Sequence, residues 1–421
     1  MRFLGDFHIH SRYARATSPA INLENLDKWA KIKGIKILGT GDFTHPAWYK
    51  ELKEGLEPVE PGLFKLKKSE SEIRFILTSE ISCIYSKKNR VRKIHILVFV
   101  PSFELVEKIN AQLGWIGNLK ADGRPILGLD AKELAKIVFN VSPDCMVIPS
   151  HAWTPWFGIF GSKSGFDSLE ECFEDYSKYI YTVETGLSAD PKMFWRVSKL
   201  DKITLISNSD SHSLQKIGRE ANVFDTEISY FAIRDAIRDK DPKRFLYTIE
   251  FFPEEGKYHY DGHRVCNVSL SPKSSREYKN ICPTCAKPLT IGVLHRVEEL
   301  ADRPENFKPE SAIPPESAIP FKNLIPLEEI IADTIGSSVG AKEVYRYYNN
   351  LISNVGSEFK ILLEAERIEL EKVSLPEIAE GIIRVREGKV TVEPGYDGVY
   401  GKIKIFTEKE EQKNVGQKSL F

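Results

Sequence analysis

Through the first 250 residues, short apolar runs alternate with stretches whose apolar positions recur at helical spacing. The apolar runs predict strands at 3–8, 35–40, 75–85, 93–100, 146–150, 179–185, 204–207 and 245–251. The helical spacing predicts helices at 23–33, 103–113, 131–139, 191–200 and 230–239, with Asn22 and Asp190 at N-cap positions. Strands alternating with helices imply an α/β unit with a parallel sheet, open or closed into a barrel. In such folds chemistry collects at the carboxyl ends of the strands.

Beyond residue 250 the pattern changes. Residues 251–302 carry the close-set cysteines. Residues 303–320 are Pro-rich and contain the tandem PESAIP-PESAIP, which reads as an extended linker. Residues 321–406 read as a helical domain ending in a hairpin (GKVTVEPGYDGVYGKIKIF), and 407–421 as a disordered polar tail. A net charge of −1 removes the simplest argument for nucleic-acid binding, although a neutral total can hide a basic groove. No apolar run reaches the roughly 18 residues of a membrane span, and the N-terminus (MRFLGDFHIH) enters a polar strand directly, so a cytoplasmic protein without a signal peptide is expected.

Six of the nine histidines fall near the predicted carboxyl ends of strands: His8, His10, His45, His95, His151 and His212. The carboxylates Asp6, Asp42, Glu80, Glu184 and Asp210 occupy matching places. Alternate residues of an extended chain share a face, so His8 with His10, and Asp210 with His212, can each aim two ligands at one centre. One histidine after a strand is ordinarily structural. Five such positions, each after its own strand, point to a metal centre, for which imidazole with carboxylate suits zinc, manganese or iron.

As a set, HxH (His8, His10), Asp42 to His45, Glu80, His95, His151 and the closing DxH (Asp210, His212) resemble the polymerase-and-histidinol-phosphatase (PHP) family. The resemblance implies a distorted (β/α)7 barrel holding two to three catalytic divalent metals, zinc first, with magnesium or manganese as alternatives. It implies one metal on His8, His10, Glu80 and Asp210, a second on Glu80, His95 and His151 with Glu80 bridging, and a third served by His45 and His212. Where family members often carry an Asp after HxH, this chain has Ala16, so the third site would be empty or completed by Asp42. Glu80, Asp210 and His212 are the catalytic candidates; Arg12 and Arg15 either contact phosphate or are solvated surface residues.

His263, Cys266, Cys282 and Cys285 have the spacing of a zinc ribbon with His in the first slot, which predicts one structural zinc; His259 is the alternative to His263. Together with VETGLSADPKMFWRVSKLD, GVLHRVEELADRP and EPGYDGVYGKI, the ribbon makes the chain resemble the endonuclease Q family over about residues 1–405. That resemblance implies nicking of DNA 5′ to deaminated bases (uracil, hypoxanthine, xanthine) and abasic sites. Inspecting a lesion requires exposing it, and Trp153, Trp156 and Phe157 in AWTPWFGIFGSKSGF either stack on a flipped base or pack under the rim. Asp190 either assists catalysis or caps its helix. Gln417, Leu420 and Phe421 resemble the start of a sliding-clamp-binding peptide, either functional or a chance match. The competing reading is a PHP-type phosphomonoesterase acting on a small metabolite.

Overall fold

The computed structural model describes residues 1–309 and 318–406. Most of the PESAIP repeat and the tail, including Gln417, Leu420 and Phe421, lie outside the described residues. Seven strands surround the site: β1 (Arg2–Asp6), β2 (Ile37–Gly39), β3 (Arg74–Lys87), β4 (Arg90–Val100), β5 (Met146–Pro149), β6 (Thr182–Glu184) and β7 (Thr204–Ile206). β1, β2 and β3 pair in parallel, β3–β4 and β4–β5 antiparallel, and β6–β7 in parallel. Ala152 N–H donates to Glu184 O at 3.0 Å just past β5, and an Ile9–Ser211 bridge joins the ends of β7 and β1.

The sheet is therefore mixed, not parallel as the alternation implied. The reason is local. Lys88 and Asn89 both adopt positive φ (51° and 58°), making a two-residue turn that can join only antiparallel neighbours. A further strand, β8 (Ala221–Asp225), which the apolar pattern misses, pairs antiparallel with β1 and with β9 (Phe245–Glu250). The sheet then continues in parallel to β10 (Phe321–Asn323), across the expected boundary at residue 250.

Successive strand residues bury on opposite faces, as a pleated chain dictates. Phe7, Ile37, Ile76, Leu97, Phe99, Ile148 and Ile206 form one buried cluster, whereas their neighbours Leu38, Leu77, Val98 and Val147 join the cluster that packs on the helices. Those helices include Leu23–Lys33, Phe103–Ile116 and Ala131–Val141. The first is capped by Asn22 Oδ1, which accepts from Asn25 N–H. The helix expected over 191–200 is split into Pro191–Trp195 and a 3-10 turn, Ser198–Leu200.

The C-terminal part holds the helices Leu327–Ile335, Lys342–Asn354, Glu358–Leu363, Arg367–Glu371 and Pro376–Arg386, then the hairpin Thr391–Glu393 with Lys402–Lys404. It is latched to the first unit by a buried Lys33–Glu358 ion pair at 2.6 Å. Lys216 also reaches Glu328 and Glu329. Among the described residues, no helix is long and apolar enough to cross a membrane.

Candidate metal centre

Two sets of ligand atoms converge above the apolar cluster and share one carboxylate. The Nε2 atoms of His8 and His10 lie 3.5 and 3.4 Å from Glu80 Oε2, and 3.7 and 3.1 Å from Asp210 Oδ1. On the other side, His95 Nδ1 and His151 Nε2 lie 3.0 and 3.2 Å from Glu80 Oε1 and 3.1 Å from each other. Each set fits within 4.8 Å, the spacing of donors around one cation. His8 Nε2 is buried without a hydrogen-bond partner, an orphan acceptor that a cation would satisfy. The imidazole–carboxylate donor set suits zinc, manganese or iron.

The next layer of residues fixes the tautomers. Carboxylates only accept, so His8 Nδ1 donates to Glu184 (3.0 Å) and His10 Nδ1 to Asp42 (3.0 Å), which aims both Nε2 atoms inward, where a cation would take the place of their protons. Glu184 also accepts from His151 N–H and Asn208 Nδ2, each at 2.9 Å. Asp42 is held by the N–H and hydroxyl of Ser11 at 2.6 and 2.7 Å. The Thr154 hydroxyl lies 2.9 Å from His151 Nδ1 and turns Nε2 toward Glu80. Asp6 accepts from Ser209 and Gly218 N–H, anchoring the loop that carries Asp210.

Local backbone geometry aims these side chains. Asp42, His151 and Asp210 all have positive φ (46°, 30° and 45°), a strained conformation that the surrounding hydrogen bonds hold in place. Gly186, at φ 74°, lies against His151, where a Cβ would meet that residue's own Cβ at 2.5 Å.

The electrostatics favour positive charge. Burial opposes protonation of His8, but Glu184 and Glu80 outweigh it and raise its pKa well above the ordinary value. For His10, Asp42 and Asp210 do the same against burial. Burial pulls the other way on Glu80, yet His95, Arg124 and His8 hold its carboxyl well below the usual range. Burial keeps His95 down at about 4, a neutral imidazole ready to ligate.

The third ligand set expected from sequence is not assembled among the described residues. Asp42 is committed to His10 and Ser11. His45 stacks on Tyr13 with ring centroids 4.5 Å apart, and its Nδ1 is buried without a partner. The His212 ring sits 4.5 Å from that of His10, with Nδ1 3.0 Å from Asp210 O, and neither His45 nor His212 joins the two converging sets.

A cavity of about 1080 Å³ opens beside the centre, lined by His95, His151, Asp210 and His212 and also by Tyr258 and Tyr400. Trp156 and Phe157 line it. Trp153 does not: it is 1% exposed and packs on Phe160 and Phe194, so it has no surface to offer a base. Asp190 caps the helix Pro191–Trp195 by accepting from Met193 N–H and does not line the cavity, which corrects the catalytic assignment. Arg12 pairs with Glu51 and Arg15 with Asp122, and neither lines the cavity. Sequence reasoning missed Arg124, whose guanidinium lies 2.9 Å from Glu80 Oε2, because it arrives on a loop with no motif of its own.

At a distance from this centre, His263, Cys266, Cys282 and Cys285 converge within 4.8 Å. His263 ends one strand of the hairpin Asp261–His263 with Val268–Leu270, and the two later cysteines flank the turn Pro283–Thr284. Burial would raise the Cys282 thiol, but backbone N–H groups of Cys285 and Thr284 bring it down to about 6, toward the thiolate that zinc requires. His259 is buried elsewhere, stacked on Tyr260.

A family model described as the MJ0043 C-terminal domain matches residues 326–389. MJ0043 of Methanocaldococcus jannaschii is 32% identical over 72% of this chain, a match that spans 38% of that protein's length. The crystal structure of the lesion-specific endonuclease PfuEndoQ from Pyrococcus furiosus superimposes with a TM-score of 0.84 at 30% identity, covering 99% of both chains. An endonuclease Q complexed with a 27-mer duplex bearing an abasic lesion at its active site gives 0.85 at 31% identity, covering 98% of both. With identity of 30–31% over 98–99% of both chains, the chain belongs to the endonuclease Q family.

Proposed function

We propose that this chain is a metal-dependent DNA repair endonuclease that hydrolyses the phosphodiester 5′ to abasic sites and to deaminated bases (uracil, hypoxanthine, xanthine). The observation that carries the reading is Glu80, one carboxylate shared between two histidine-rich ligand sets whose His95, His151 and Asp210 line an open cavity. In this reading residues 1–250 form a PHP-type (β/α)7 barrel. Residues 251–302 are a zinc module, 303–320 a linker and 321–406 a C-terminal helical domain. A clamp-docking tail and a cytoplasmic location belong to the same proposal.

His8, His10, Glu80 and Asp210 would hold one divalent cation and Glu80, His95 and His151 a second. Bound there, such a pair lowers the pKa of water and neutralises charge on phosphoryl oxygens. The protein's own residues do the rest. Glu184 and Asp42 keep the imidazoles oriented. Burial holds the His212 imidazole below its ordinary pKa and its Nδ1 donates to Asp210 O, so its Nε2 lone pair is left to accept a proton from the attacking water. Trp156, Phe157, Tyr258 and Tyr400 give the cavity aromatic walls on which an extrahelical nucleotide can stack.

The test is a nicking assay on end-labelled duplexes containing one abasic analogue, one uracil, one hypoxanthine or no lesion, with Mn²⁺, Mg²⁺ or Zn²⁺. The expected product is a nick 5′ to the lesion, absent from the undamaged duplex. Intact duplexes together with brisk phosphate release from small monoesters would replace this reading with a phosphomonoesterase.

A further inference from the structure

Arg124 is placed too deliberately for a surface arginine. Its side chain is 27% exposed, and Glu80 is its one carboxylate partner among the described residues, at 2.9 Å. The loop delivering it is pinned on every side. Arg124 N–H donates to Asp122 Oδ1 (3.1 Å) and Gly123 N–H to Tyr13 O (2.9 Å), while the Thr44 hydroxyl donates to Gly123 O (3.3 Å). Gly123 itself presses on Asp42, leaving no room for a Cβ. Ser82 N–H donates to Pro125 O at 3.0 Å, so the strand carrying Glu80 and the loop carrying Arg124 are locked together.

Arg124 does not line the cavity, but its partly exposed side chain sits against the shared carboxylate, where the guanidinium can take a second anion. Glu80 Oε2 faces both Arg124 and the set formed by His8, His10 and Asp210. A guanidinium serving only to hold Glu80 would compete with a cation for the same oxygen. The guanidinium fork also keeps N–H groups beyond the one given to Glu80, in the planar geometry that matches phosphate oxygens.

We propose, resting on the endonuclease reading above, that Arg124 is a catalytic residue that grips a non-bridging oxygen of the scissile phosphodiester. It holds the phosphorus against the shared-carboxylate centre and stabilises charge as it builds on the phosphoryl oxygens.

The experiment compares wild type, Arg124→Met and Arg124→Lys as full chains in three measurements: Mn²⁺ binding by calorimetry, inorganic phosphate binding to the Mn²⁺-loaded protein, and nicking of the abasic duplex. In Arg124→Met, Mn²⁺ should bind as tightly as in wild type or up to about tenfold more tightly, because a like charge has gone. Phosphate binding should weaken, and kcat/KM for nicking should fall about 100-fold, as when one charge-stabilising donor is removed. Arg124→Lys should fall between the two, keeping the charge without the fork. The assignment is overturned if Arg124→Met binds phosphate and nicks within twofold of wild type. It is equally overturned if Mn²⁺ binding collapses with activity, since Arg124 would then merely support Glu80. A wild type whose phosphate binding depends on Arg124 but which nicks no duplex would uphold the assignment and sink the endonuclease reading instead.

Discussion

Replacing Glu184 with Gln preserves volume and tests whether the layer behind the ligands sets metal affinity. Glu184 Oε1 accepts from His8 Nδ1 and Asn208 Nδ2, and Oε2 from His8 Nδ1 and His151 N–H. A glutamine has one oxygen to offer. In one orientation its NH2 faces Asn208, in the other His151 N–H, and either way a buried donor meets a donor. An unmatched buried group costs roughly 1–3 kcal/mol. At about 1.4 kcal/mol per tenfold change, that is a loss of about 5- to 150-fold. Changes behind metal-bound histidines typically cost about 10–100-fold in affinity or activity, which agrees. Calorimetric Mn²⁺ titration of Glu184→Gln, with its melting curve and the Mn²⁺ dependence of nicking, should show binding weakened by one to two orders of magnitude in a folded protein. A Glu184→Gln protein with wild-type Mn²⁺ affinity and wild-type nicking would refute the reasoning, because the imidazoles would then need no carboxylate behind them.

Other outcomes follow from the same structure. Cys282→Ser should lose one zinc per chain by metal analysis, since it removes one of four converging ligands. Trp153→Ala should destabilise the fold by about 3–5 kcal/mol in denaturant titration, as loss of a buried indole does. Trp156→Ala, on the cavity wall, should keep wild-type stability and weaken nicking of lesion duplexes. Burial pushes the Glu255 carboxyl from its ordinary 4.5 up to about 9. Between those values the folded chain binds the extra proton, so stability should fall as pH rises through that window, and Glu255→Gln should flatten that part of the melting-temperature profile.

What could be read from the sequence was the part that lives in side-chain identity. His8, His10, His151 and Asp210 lie just past strand ends and Glu80 and His95 within long strands, and their types alone mark them as donors; the structure brings all six together. Residues that depend on backbone path were illegible. Arg124 reaches Glu80 only because Gly123 packs against Asp42 and Pro125 bonds to Ser82. β8 escaped notice because Glu220 and Asn222 look like loop residues. Both are buried, and Asn222 Nδ2 bonds Gly5 O, Ser207 O and Asn208 Oδ1, replacing apolar contacts with a polar network. The sequence leaves Trp153 either stacking on a base or packing under the rim, because its loop interleaves aromatics with glycine. Those glycines instead allow close packing: a Cβ on Gly158 would meet Thr154 O at 2.6 Å, and the compact loop turns Trp153 and Phe160 into the core. The turn at Lys88–Asn89 carried no Gly, so its left-handed geometry and the antiparallel pairing it imposes left no mark in the sequence.

The most direct test of the account is to count bound metal against nicking of an abasic duplex in one titration. Protein stripped to the zinc held by the four cysteine-module ligands should nick nothing. Activity should rise only as two further divalent ions per chain bind, and Glu80→Ala should lose both ions and the nick together. Full nicking by protein that holds only the module's zinc, or by Glu80→Ala, would contradict it.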